Sequence, residues 1–242
     1  MSAGKTLLWI IIPYAAIAIF IVGHWWRYRT DQFDWTSRST QLLDRRVLGW
    51  ASPAFHYGAL AAVGGHIIGL LIPASVTNAI GIHENAYHWI AAIAGGIAGA
   101  VTLIGFLGLV YRRITSDRVR RNTTRVDFLT YLLLTVLIGL GCWMTFAHNL
   151  LANAPYNYRV SIGVWWRSLF DLQPNIAAAS RAPIVYQLHA IIAWLFWASY
   201  PFSRLVHAWS IPLQYIGRPY ILYRRRFPAA RWSTRGAPYR GR

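Results

Sequence analysis

Long apolar runs alternate with short polar connections along the 242-residue chain, at approximately 5–28, 50–74, 88–111, 127–149 and 184–210. Each holds about 20 residues or more, enough for a helix to cross roughly 30 Å of hydrocarbon. The pattern predicts an all-α membrane bundle of five transmembrane helices. The first run contains LLWIIIPYAAIAIFIVGHWW. It is too long for a signal-peptide core and has no clear cleavage site, so it is expected to be retained, with a bend at Pro13. In the longest connection, 150–183, Trp165, Trp166 and Arg167 predict a short interfacial helix. Gly95, Gly96 and Gly99 in GGIAGA predict close helix packing in the third span.

Composition agrees with a membrane protein: 56% of the residues are hydrophobic and only 13% are charged, against about a quarter in soluble domains. The formal charge of +17 does not indicate nucleic acid, because the basic residues cluster between apolar runs. Arginines follow the first run (Arg27 to Arg46), separate the third and fourth (Arg112 to Arg125) and end the chain, giving 20 basic residues on one side. Lys5, Arg159, Arg167 and Arg181 are the 4 on the other. Positively charged loops stay cytoplasmic, so the N-terminus is expected outside and the C-terminus in the cytoplasm. The predicted organisation is a transmembrane domain over 1–226 and a basic cytoplasmic tail over 227–242. The single cysteine, Cys142, excludes an internal disulfide, a cysteine-ligated iron–sulfur cluster and a Cys-rich zinc site.

The eight histidines carry the chemistry. His24, His83, His88 and His148 lie at span ends or in connections, where an interfacial polar role suffices. The other four fall on two runs. His56 and His66 share AFHYGALAAVGGHIIGLLIP, and His189 and His207 share YQLHAIIAWLFWASYPFSRLVHAWSIP. Histidine within apolar membrane helices is costly and points to function. Neither run offers a carboxylate, whereas a metal ion gives neutral imidazole a partner. Antiparallel helices pair His56 with His207 near the cytoplasm and His66 with His189 nearer the outside. Ten residues rise about 15 Å and eighteen about 27 Å, so tilt and a kink at Pro201 must absorb the difference. Zinc would need further ligands, whereas haem iron needs two axial ones. Gly58, Gly64 and Gly65 would admit a porphyrin edge or, alternatively, close helix packing. Arg204, Arg112 and Arg45 could meet haem propionates, or serve only as cytoplasmic anchors.

WWRYRTDQFDWTSRSTQLLDRR, FHYGALAAVGGHIIGLLIP, YRRITSDRVRRNTT and YPFSRLVHAWSIPLQYIGRPY, with the ten- and eighteen-residue histidine spacings, resemble the gamma subunit of membrane-bound respiratory nitrate reductase, a dihaem cytochrome b. The resemblance covers roughly 10–226 and is weakest over 150–183 and after Phe227. It implies two haem b groups, one on His56 and His207 and one on His66 and His189. It implies a prokaryotic cell-membrane location, an iron–sulfur beta subunit as partner and, through it, a molybdopterin alpha subunit that reduces nitrate. Quinol would be oxidised beside the outer haem, with electrons passing to the inner one. Gly65, His66, Tyr87 and His88 are the expected quinone-side residues, although Tyr87 and His88 also suit an interfacial belt. Two alternatives stay open: a similar quinol-oxidising cytochrome b of a sulfur- or heterodisulfide-type reductase, and a haem-free membrane anchor or transporter.

Overall fold

The computed structural model describes residues 2–31, 35–36, 39–152, 155–209 and 217. Residues 1–210 form one unit and 211–242 a second, of which only Gly217 is described. Arg38, the arginines from Arg218 onward and the tail 227–242 therefore lie outside the described residues.

Among the described residues the chain is helical, without strands. Four helices are long and apolar enough to cross a membrane: α1 Ala3–Thr30, α2 Leu48–Leu71, α3 Glu84–Thr115 and α4 Arg125–Leu150. A short helix, α5 Ile162–Phe170, precedes α6 Ile184–Ser199. Large side chains such as Leu60, Ile97 and Phe128 stand exposed on the outer faces of the spans, as expected where the surrounding solvent is lipid.

Local sequence explains where the helices depart from regularity. Pro13 has no N–H to offer the preceding turn, and the turn before it, Leu7–Ile11, is a π-helix. α4 begins at a capping box: Thr124 Oγ1 accepts from the Asp127 N–H, and the Asp127 carboxylate accepts from the Thr124 N–H. It ends in a π-helical segment, Met144–Leu150.

The fifth apolar run is the largest departure from expectation. It is not one continuous helix over 184–210. α6 stops at Ser199, and two 3-10 segments follow, Tyr200–Phe202 and Arg204–Trp209. Ser203 between them is extended, with ψ 175°. Pro201 cannot continue the α ladder. His207 therefore leaves the axis that carries His189.

α2 and α3 pack through a seam of small residues. A Cβ on Gly58 would stand 2.6 Å from the Thr102 nitrogen, and one on Gly105 would stand 2.7 Å from Phe55 Cα. One on Gly108 would stand 2.8 Å from Ala51 Cβ. In lipid, where apolar surface gives no drive for helices to associate, such close backbone approach holds helices together. Gly58 belongs to this seam, the helix-packing role of the two open to it. Gly96 and Gly99 face α4 instead, against Leu150 and Cys142, as expected of GGIAGA.

The expected short helix in 150–183 is α5, and it closes one end of the bundle. Trp165 donates from Nε1 to the Trp9 carbonyl at 3.0 Å, Tyr14 donates to Leu169 O at 2.8 Å, and Arg167 donates to Leu70 O at 2.9 Å. Trp9 and Trp165 are each 1% exposed and meet edge to face. At the other end Arg27 of α1, 5% exposed, donates to the carbonyls of Pro201 and Ser203 at 2.7 and 2.8 Å. It satisfies acceptors in the stretch where the helix breaks.

Candidate functional site

α2 carries His56 and His66 on one uninterrupted helix. His66 faces His189 of α6, with ring centres 6.0 Å apart and planes 15° apart. His56 faces His207, with ring centres 6.1 Å apart and planes crossing at 72°. A metal ion sits about 2 Å from an imidazole nitrogen, and the ring centre lies about 1 Å behind it, so two rings clasping one metal have centres roughly 6 Å apart. Both pairs have that separation. The break after Ser199 absorbs the unequal rise of ten and eighteen residues.

The ring tautomers follow from backbone partners. His56 Nδ1 lies 2.7 Å from Ser52 O, His66 Nδ1 2.7 Å from Ala62 O, and His207 Nδ1 2.7 Å from Arg204 O. A carbonyl only accepts, so each Nδ1 carries a proton, which leaves Nε2 as the nitrogen that offers a lone pair whenever the ring is neutral. That is the neutral form in which imidazole binds metal, oriented by the hydrogen bond on its other nitrogen. His189 differs. Its Nδ1 makes no hydrogen bond of good geometry, its weak partner being the Leu137 carbonyl of α4. Its ring packs against Gly141, where a Cβ would come within 3.4 Å of Cε1.

Three features fit a planar ligand that brings most of its own donors. Each site has two histidines. Among the described residues no group of three or more His, Cys, Asp or Glu could hold a metal ion. Gly64 and Gly65, beside His66, have no atom within 4 Å of where a Cβ would stand, so a flat ring can approach the α2 backbone there.

The remaining candidates have definite partners. Arg112 lies on α3 and is 3% exposed; its guanidinium donates to Thr40 O, Thr40 Oγ1 and twice to Asp44 O, at 2.6 to 3.0 Å. Arg204 is paired with the Asp127 carboxylate, Nε donating to Oδ1 at 2.6 Å and Nη2 to Oδ2. Tyr87 is buried, and its hydroxyl lies 3.2 Å from that of Tyr158. A Cβ on Gly69, one turn beyond His66, would stand 3.2 Å from the Tyr87 hydroxyl oxygen. His88, next along α3, keeps a buried Nε2 without a protein partner.

Arg159, 2% exposed, organises this end of the bundle. Its guanidinium lies 3.8 Å over the Tyr87 ring and donates to Glu84 Oε2, Thr77 Oγ1 and Ile72 O. Burial, and then the bond to Tyr87, hold the Tyr158 phenol above its ordinary range. Burial, with Arg159 nearby, lowers the Arg167 guanidinium. The roles of Arg159, Arg27 and Asp127 had no local signal; each acts on residues far along the chain. Their only sequence mark is a charge placed beside an apolar run.

The other histidines are less suggestive. His24 bonds back to Phe20 O at 2.6 Å amid aromatic rings, and His83 occupies the N-cap position of α3 without a side-chain capping bond. The His148 ring centre lies 6.1 Å from that of Tyr186.

The fold and site define a multi-pass helical membrane protein in which two histidine pairs face one another across neighbouring segments. Residues 5–226 match the family model described as nitrate reductase gamma subunit. The chain belongs to that family and is a multi-pass protein of the bacterial plasma membrane. It is 39% identical to the nitrate reductase gamma chain of Bacillus subtilis over 91% of this chain and 98% of that protein. It is 34% identical to the respiratory nitrate reductase 1 gamma chain of Escherichia coli over 89% and 95%. It is also 46% identical to the nitrate reductase-like protein NarX of Mycobacterium tuberculosis over 91% of this chain, which spans only 34% of that longer protein.

Proposed function

We propose that this chain is the membrane electron-transfer subunit of a nitrate reductase complex, oxidising quinol near the outer face and delivering electrons through two haem b groups to a cytoplasmic iron–sulfur partner. That partner joins a molybdopterin subunit where nitrate is reduced. The observation that carries the reading is the pair of imidazole clasps, each with ring centres about one metal ion apart and each built from α2 and the fifth apolar run. Family membership favours nitrate reductase over sulfur- or heterodisulfide-type chemistry.

When bound, haem b supplies one-electron carriage. The chain does the rest. His56 with His207, and His66 with His189, present neutral imidazoles at two depths. Gly64 and Gly65 leave room beside the outer pair. Arg112 and Arg204 are the cations at the cytoplasmic level of the inner pair, and a propionate there would share donors with the 40–44 connection and with Asp127. On the quinol side, the buried Nε2 of His88 is the better proton acceptor, because the Tyr87 hydroxyl is already engaged by Tyr158. With the N-terminus outside, electrons move inward while protons remain outside. Each charge so moved corresponds to about 2.3 kcal/mol per 100 mV.

The test is a visible spectrum of the purified complex with identification of its co-purifying subunits. His66→Ala, which leaves no side chain able to bind iron, should abolish the outer b-type component and keep the inner. Survival of both components unchanged would overturn the ligand assignment. A parent protein without b-type bands would leave the haem-free anchor as the answer. A sulfur-metabolising partner in place of a nitrate reductase would replace the acceptor.

A further inference from the structure

Three of the four clasping histidines belong to regular helices. His207 does not. It sits on the 3-10 segment Arg204–Trp209, after the extended Ser203. Short 3-10 segments have poorer hydrogen-bond geometry than α-helices and hold their shape through neighbours. Two neighbours grip this one. Arg27 of α1 holds the carbonyls of Pro201 and Ser203. From α4, Asp127 takes the Arg204 guanidinium through two donors.

Asp127 is 4% exposed, with Arg113 4.0 Å away as a second cation. Capping α4 requires an acceptor for the Thr124 N–H, a task an uncharged side chain can perform. The charge is therefore explained by Arg204 and Arg113, not by the cap. Arg204 in turn connects directly to the inner pair. Its backbone carbonyl accepts from His207 Nδ1 at 2.7 Å, the bond that sets the tautomer and orientation of that ring. For His56 and His66 the equivalent carbonyl lies one turn back in a regular helix and needs no ion pair.

We propose that Asp127 is a positioning residue for the inner redox centre, acting through Arg204 on the backbone that orients His207. The inference rests on the dihaem reading above and adds a residue to it. Removing the Asp127 charge has two consequences of definite direction. The Arg204 side chain loses its bond to α4, so the His207 ring becomes less uniformly oriented. The net charge beside the inner centre becomes one unit more positive, and added positive charge favours the state with one more electron. The outer pair should be untouched, since neither His66 nor His189 takes its orientation from Arg204.

The experiment compares the parent complex with Asp127→Asn, Asp127→Glu and Thr124→Ala in native membranes, by redox titration of the visible bands and low-temperature electron paramagnetic resonance. In Asp127→Asn the inner b-type component should titrate at higher potential with a broadened signal, or be lost, while the outer stays as in the parent. Asp127→Glu should restore the inner component at least in part. Thr124→Ala breaks the same capping box but keeps the ion pair, so it should match the parent. Unchanged titration of both components in Asp127→Asn, equal disturbance of both, or the same inner shift in Thr124→Ala would overturn the inference. A parent without b-type bands would instead sink the dihaem reading itself, and this inference with it.

Discussion

At the scale of single residues, the molecule places each buried charge against groups it cannot do without. Arg159 offsets its removal from water with an ion pair, a hydroxyl, a carbonyl and an aromatic face. The tyrosine pair below it has a consequence in alkaline solution. Because Tyr158 keeps its proton in the folded chain above the usual phenol range, its contribution to stability is complete below about pH 10 and is lost as pH rises beyond. Thermal midpoints followed from neutral to strongly alkaline solution should fall more steeply for the parent than for Tyr158→Phe; parallel curves would count against the assignment. The four histidines that face one another in pairs were legible in sequence because imidazole within an apolar run has few reasons to be there. Their helpers were not. Arg204 and Asp127 lie 77 positions apart, and Arg27 and Pro201 lie 174 apart. Only folding could show that these residues meet.

At the scale of elements, what matters is how near two helices can come. α2 bears both of its histidines rigidly, and α3 fixes α2 through the Gly58, Gly105 and Gly108 seam. A methyl group on Gly105 would press on the α2 backbone at Phe55 and Ala51, groups that cannot swing aside. Gly105→Ala should destabilise the bundle by about 1–3 kcal/mol and, on the dihaem proposal, lower the b-type absorbance. Gly139→Ala, with nothing within 4 Å of the new methyl, should do neither. Thermal inactivation of the solubilised protein, read with its visible absorbance, compares them directly; equal tolerance would mean that α2 and α3 are free to separate. The sequence pointed to GGIAGA as a packing motif, and its glycines do pack, against α4. The tighter seam on α2 was less apparent, because Gly58 sits beside His56 and suited a ligand slot equally well. Which side of a helix a small residue faces depends on its neighbours, and one chain read alone does not contain them.

At the scale of the whole molecule, the chain returns to alternate ends of the bundle. Trp9, Leu70 and Trp165 gather at one end, and Arg27, Asp44, Arg112 and Arg204 at the other. The asymmetric arginines predict a direction for this arrangement, with their end at the cytoplasm. With Cys142 replaced by serine, a cysteine at exposed position 173 should react with an impermeant maleimide added to intact cells. One at exposed position 118 should react only after permeabilisation. The reverse pattern would invert the orientation and place quinol oxidation on the other face.

The amino-acid order alone determined the membrane class, the helical runs, the face on which arginines gather and which four histidines stand out from the apolar runs. Each of these depends on transfer between water and hydrocarbon or on the scarcity of a residue type, quantities that can be read one segment at a time. Tertiary structure alone decided that the fifth run breaks at Ser199. It also decided that the break brings His207 level with His56, and that Arg27 and Asp127 hold the broken segment in place. Those outcomes depend on distances between residues remote along the chain, which exist only once the helices have packed.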